Sequence, residues 1–250
     1  MCVILVKVVN LHSVELVFGA YQGFALDEAT IWYRKALLYT FKNTEINNKK
    51  ASDFETKSLL YLLGMRRDSD EIEIITVDCF NDVTGSNNDF SKLWDVQSKN
   101  HSSLPPSKIG ESLSTLYDNF VSSISFYDYI LFIPKLNKEY LIDGSLNVYS
   151  YENINHKQKK GIEKKLKEKI NGDKSGNTPP LFLDFLSQVT FVEDNKRIST
   201  YIKRISKFRN KKSVSEEIYE RIFKEIRNAQ ASLKISYIEN EKIVCPSEVL

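Results

Sequence analysis

Glu71-Ile72-Glu73-Ile74-Ile75-Thr76-Val77 and Lys92-Leu93-Trp94-Asp95-Val96-Gln97-Ser98-Lys99 are the two stretches on which the fold turns. Both are rich in β-branched and aromatic residues, and Gly85-Ser86-Asn87-Asn88-Asp89 between them carries turn chemistry, so the pattern predicts a hairpin. Upstream, Phe24, Ala25, Ala29, Trp32, Ala36 and Tyr39 recur at helical spacing and predict a helix over 21–42, with Asp27 and Glu28 in its early turns where the dipole favours carboxylates. Residues 43–52 read as a polar loop, and Asp53 as the cap of a second helix that Gly64 stops. Downstream, Ser107 follows Pro105-Pro106 as a cap, and Ile109, Leu113, Leu116 and Phe120 form one apolar face. Residues 129–133, Tyr-Ile-Leu-Phe-Ile, read as a buried strand. Helix, hairpin, helix, strand predicts an α/β chain: a short mixed sheet with helices on its faces.

From His156 the composition shifts. A basic helix over 156–170 and the turn-like stretch 171–180 precede a helix from Leu181, a strand at 189–192, and helices near 198–208 and 214–229. This divides the chain into a core over 1–155 and a mostly helical basic part over 156–250, either separate or an excursion within one domain. Residues 1–155 carry 14 Lys and Arg against 20 Asp and Glu; residues 156–250 carry 21 against 13. A net of −6 thus joins a net of +8, which the formal total of +2 conceals. Carboxylates suit divalent cations and lysines suit phosphates, although solvated helix faces give the same asymmetry.

Composition removes several classes. Cys2, Cys79 and Cys245 are scattered, with no Cys-x-x-Cys, so neither a zinc site nor a disulfide framework is indicated and a reducing compartment is expected. The apolar start is interrupted by Lys7 and His12, without the order of a secretory signal, and no stretch approaches the roughly 18 apolar residues of a membrane span. The expectation is a soluble cytoplasmic protein without a membrane partner. No phosphate-binding Gly-x-x-x-x-Gly-Lys-Ser/Thr run is present, so the chain is not itself a P-loop ATPase.

Three residues carry the candidate chemistry. Asp82 is expected at the end of the first strand, and Gln97 and Lys99 share one face of the second. An acid facing Gln-x-Lys across a hairpin is the arrangement of PD-(D/E)xK nucleases. A hard cation wants oxygen ligands, which Asp82, the Gln97 amide and the Ser98 carbonyl can supply, and Lys99 can orient water and offset phosphorane charge. Glu28 can reach the same site from its helix. On the bland reading, Asp82 only closes a turn, while Gln97 and Lys99 line a solvated edge strand. Residues 196–212 hold eight Lys or Arg and no acid, with Tyr201 and Phe208 interleaved. Lys203, Arg204, Lys207, Arg209, Lys211 and Lys212 are candidates for backbone contact with DNA, as is His101 beside the motif.

The run Trp94-Asp95-Val96-Gln97-Ser98-Lys99-Asn100-His101, with the capped helix behind it, resembles the endonuclease domain of the CD-NTase-associated protein four type, from bacterial anti-phage defence. Gly19-Ala20-Tyr21-Gln22 matches that family's start, Asp78 and Asp82 its acidic strand, and Phe182–Val192 its second half, so the likeness spans roughly residues 18–235. It implies a restriction-endonuclease-like fold, hydrolysis of double-stranded DNA with Mg²⁺ or Mn²⁺, and restraint by homo-oligomerisation or by a regulatory partner. That partner would be a sensor subunit or an SMC-like or other ATPase on a separate polypeptide. The chain departs from the family at Asn81-Asp82, where paired acids are common. The departure keeps a catalytically degenerate DNA-binding or assembly subunit open, and spacing alone leaves an RNA nuclease open too.

Overall fold

The computed structural model describes residues 49–77, 80–101, 103–171, 179, 181–206 and 214–241, with backbone alone at 49–52 and 231–241. In chain order its elements are α1 (Lys49–Gly64), β1 (Ile74–Val77), β2 (Val83–Ser86), β3 (Leu93–Ser98), α2 (Pro106–Ser112), α3 (Ser114–Phe120), β4 (Asp128–Pro134), β5 (Val148–Ser150), α4 (His156–Asn171), α5 (Phe182–Gln188), β6 (Val189–Asp194), α6 (Ile198–Ile205) and α7 (Glu216–Glu241). They fall into two units, residues 81–196, and residues 1–80 with 197–250.

In the unit 81–196 the strands form a mixed sheet in the order β2-β3-β4-β6-β5, flanked by helices. β3, β4 and β6 run parallel, while β2 and β5 are antiparallel to their neighbours. The centre of β4, Tyr129 to Ile133, is buried throughout, the continuous apolar run expected of a parallel strand covered on both faces. Phe185 of α5 meets Tyr117, Phe120 and Tyr129 with ring centroids 5.4–6.0 Å apart.

Helix α4 crosses α2 at two glycines. A β-carbon on Gly110 would lie 2.3 Å from the Ile162 carbonyl oxygen, and one on Gly161 would lie 2.9 Å from the Pro106 β-carbon. A residue without a side chain is what fits at each position. Glu111 of α2 ties the crossing together, pairing with Lys108 at 2.8 Å and Lys169 at 3.3 Å. Hydrogen bonds from these two ammonium groups hold its carboxyl below the usual range.

The other unit packs α1, α6 and α7. Asp53 accepts a 2.6 Å hydrogen bond from Arg227, and Thr56 donates to Gln230 at 2.8 Å, so α1 and α7 are joined by buried or half-buried polar pairs; Leu60, Tyr219 and Phe223 are buried in the same unit. Gly64 fits against Arg204 and Ile205 of α6.

Several expectations need correction. The hairpin exists, but its first strand is β2 and not the stretch 71–77. Residues 69–71 form a 3₁₀ turn, β1 covers only Ile74–Val77, and the chain bends before Val83. Gly85 and Ser86 were expected in the turn because of their residue types; both are buried ladder residues of β2. The turn is made later, where Asn87 accepts from the backbone N–H of Lys92 and Phe90 adopts φ 57°. Ser107 is not a cap: Pro106 opens the helix, where its missing N–H costs nothing. The single helix expected to Phe120 is two, divided at Leu113, whose backbone N–H still reaches Ile109. Asp53 lies inside α1, which begins four residues earlier. The strand expected at 189–192 runs on to Asp194, and pairs with β4 over its whole length.

Candidate active site

Antiparallel β2 begins where parallel β3 ends. The register pairs Val83 with Val96, so the residue before β2 faces the residue after Val96, and Asp82 meets Gln97. Both sit at the carboxyl end of β3, where Gln97 pairs with Leu131 in the middle of parallel β4; the carboxyl edge of parallel strands is where open α/β sheets bind ligands.

One oxygen of Asp82 gathers three donors. Its Oδ2 accepts from Gln97 Nε2, from the Ser98 backbone N–H and from the Ser98 hydroxyl, each at 2.7 Å. Among the described residues, Asp82 Oδ1 takes no hydrogen bond. Gln97 Nε2 also lies 3.3 Å from the Ser98 carbonyl oxygen, and its Oε1 accepts from the Thr115 hydroxyl at 2.7 Å. Gln97 and Ser98 are buried and Asp82 is half-buried. Lys99 follows β3 by one residue, with its N–H bonded to the Phe132 carbonyl. Its side chain is half-exposed and makes no hydrogen bond or ion pair among the described residues.

Behind Gln97 lies a residue that sequence reasoning missed. Asp95 is fully buried, and its Oδ2 accepts from Asn81 Nδ2 and Asn119 Nδ2, both at 2.7 Å. Asn81 and Asn119 are themselves buried. The arrangement is a matter of matching periods. Two residues along a strand advance about 6.6 Å and four along a helix about 6 Å, so Thr115 and Asn119 of α3 stand over Gln97 and Asp95 of β3. Burial, aided by the Asp95 charge, pushes the phenol of Tyr129, the neighbour of Asp95 across the ladder, up to about 12. The available signal was an acid between Trp94 and Val96 in a strand pattern, since a buried carboxylate demands partners.

Thr115 tests the arrangement. Thr115→Val keeps the shape and removes the donor to Gln97, and is expected to cost about 0.5–1.5 kcal/mol in urea unfolding. Unchanged stability would show that the hydroxyl does not hold the amide.

Of the residues anticipated from sequence, Asp82, Gln97 and Ser98 are brought into contact, and Lys99 is next along the chain. His101 is exposed in the loop after β3. Glu28, Asp78, Lys207, Arg209, Lys211 and Lys212 lie outside the described residues. Lys203 and Arg204 belong to the other unit, where the Lys203 ammonium lies 4.8 Å from the Tyr219 ring centre and Arg204 is exposed. Within α4, the i,i+4 spacings of Glu163 with Lys167 and of Lys164 with Glu168 are not the ones used. Glu163 accepts from the Tyr151 hydroxyl, Lys167 lies over Phe182, and Glu168 pairs with Lys165.

Among the described residues, no three His, Cys, Asp or Glu side chains converge as a metal site. The oxygens that could hold a hard cation are the open Oδ1 of Asp82, the Ser98 carbonyl and the Gln97 amide oxygen. For Gln97 to join Asp82 its amide must turn over, because Nε2 now faces the acid. The Thr115 hydroxyl can accept as readily as it donates, so the turn leaves it satisfied. No helix among the described residues is long and apolar enough to cross a membrane.

No family model, curated protein or solved structure matches this chain.

Proposed function

We propose that the chain is a metal-dependent DNA endonuclease with a restriction-endonuclease-like core, acting as an effector in anti-phage defence. The observation that carries the reading is the Asp82–Gln97–Ser98 cluster, with Lys99 beside it, at the carboxyl end of β3. The donor set fits Mg²⁺ or Mn²⁺, held by Asp82, Gln97 and the Ser98 carbonyl, with Glu28 as a further acid. When bound, such a cation polarises a phosphodiester and acidifies nearby water. Asp82 supplies the negative charge that draws the ion in and keeps Ser98 oriented through its other oxygen. Lys99 brings a cation to the edge where negative charge grows on the phosphate, and orients the attacking water. His101, Lys203, Arg204, Lys207, Arg209, Lys211 and Lys212 are the proposed contacts to the DNA backbone, which fix position and carry no sequence readout. Restraint by self-association or by a separate sensor or ATPase subunit belongs to the same proposal, and rests on the family resemblance.

The test is plasmid cleavage with Mg²⁺ or Mn²⁺ against EDTA, beside Lys99→Ala. Metal-dependent nicking is expected, reduced at least about a hundredfold in the variant while its melting curve is unchanged. Cleavage that persists in the variant would remove Lys99 from the chemistry. An RNA duplex in parallel decides between the two phosphodiester substrates.

A second reading is favoured by one observation: Gln97 presents nitrogen to Asp82, and a neutral amide stands where a second acid would bring charge. On that reading the chain is a degenerate DNA-binding or assembly subunit. Metal-dependent cleavage that requires Lys99 excludes it.

A further inference from the structure

Helix α4 carries seven lysines and two glutamates, and the structure sorts those lysines into two groups. Lys159 pairs with Glu152 at 2.7 Å, Lys165 with Glu168 at 3.1 Å and Lys169 with Glu111 at 3.3 Å, while Lys167 lies 4.8 Å from the centre of the Phe182 ring. Lys157, Lys160 and Lys164 are exposed and have no ion-pair partner among the described residues. These three stand at i, i+3 and i+7, one stripe about 10 Å long. Ile162 and Leu166, both fully buried, occupy the opposite side of the helix.

We infer that Lys157, Lys160 and Lys164 form the seat for the phosphate backbone of a nucleic-acid duplex in this unit. The nature of the polyanion rests on the nuclease reading above; the location does not come from it. Position supports the role. Gly161, between two of these lysines, lies against Pro106 at the start of α2, and residues 99–105, with Lys99 and His101, lead directly into that helix. The chemistry of the stripe selects the partner. Among the described residues, the rings against this helix lie at Lys159 and Lys167 and none at the three lysines of the row, so the stacking platform of a single-strand groove is not seen there. The apolar face of α4 is used up inside the protein, so it cannot enter a lipid interface. What remains is a line of point charges able to displace counterions from a duplex. Since the formal net charge of the chain is only +2, such binding would come from this local row and not from overall charge.

The experiment measures binding of the full chain to a short DNA duplex in EDTA, where no metal-dependent cleavage takes place, over a series of salt concentrations. The variant carries Lys157→Gln, Lys160→Gln and Lys164→Gln. A control carries Lys135→Gln, Lys138→Gln and Lys196→Gln, three exposed lysines of the same unit, and so has the same net charge. Glutamine is as good a helix former as lysine, and matching melting curves establish that both variants fold. The row variant is expected to bind at least about tenfold more weakly than the control, with its log–log salt slope shallower by about one for each lysine removed. A row variant that binds like the control, or a wild-type chain that binds no duplex, overturns the inference. Loss of binding in the row variant alongside a failed Lys99 cleavage test would leave the row standing and sink the nuclease reading. Lys99-dependent cleavage with no change in the row variant's binding would do the reverse.

Discussion

Gly110→Ala is expected to destabilise the protein by at least about 3 kcal/mol, the upper range for overpacking, and to shift the urea midpoint accordingly. In isolation the exchange would favour folding, because alanine gains about 1 kcal/mol over glycine inside a helix. The crossing with α4 decides the sign. The new β-carbon would lie 2.3 Å from the Ile162 carbonyl oxygen and 3.1 Å from the Leu166 nitrogen, both atoms of a hydrogen-bonded helix backbone. No rotamer relieves such a contact, so α4 would have to move away and loosen Ile162 and Leu166. Gly161→Ala supplies the comparison. Its β-carbon would meet the Pro106 ring at 2.9 Å, a milder overlap with a side-chain atom, and should cost less. A neutral or stabilising Gly110→Ala would mean that the two helices do not cross there.

Asp95→Ala is expected to cost about 2–6 kcal/mol, about 1–3 for each of the two buried amides left without its acceptor. The loss does not come from the aspartate alone. Asn81 and Asn119 would keep their buried amides with no acceptor in place of Asp95 Oδ2, and leaving buried donors unmet costs more than a hydrogen bond contributes. Asp95→Asn retains an oxygen for the two donors and should cost less than half as much. Urea unfolding followed by circular dichroism distinguishes them; equal losses in the two variants would show that charge, and not the two hydrogen bonds, secures Asn81 and Asn119. Because Asn119 lies one helical turn beyond Thr115, the same network also holds the helix that contacts Gln97.

The sequence was legible where a pattern depends on a single period. The run at 129–133 announced β4 because five successive apolar residues suit a strand buried on both faces. The basic helix expected over 156–170 announced itself through its lysines, and Asp82, Gln97 and Ser98 meet, although on a different hairpin. Gly85 and Ser86 misled because small polar residues usually mark turns; packed against β3 they serve as strand residues, which depends on neighbours that local propensity does not contain. Asp95 was passed over for a related reason. An acid in a strand can be read only once its partners are known, and Asn81 and Asn119 lie 14 and 24 residues away in the chain. The break at Leu113 was hidden because 106–120 keeps one apolar stripe through both helices.

The glycine crossing has an evolutionary consequence. Where two helices meet backbone to backbone, their separation is set by main-chain atoms that substitution cannot alter. Residues on the outward side of α4 can then drift, and the row at 157, 160 and 164 can gain or lose charge, while the frame bearing Asp82 and Gln97 keeps its dimensions. Homologous chains should therefore differ freely on that surface while the position of Gly110 admits almost no change, so that affinity for a partner can be tuned by lineage without rebuilding the scaffold.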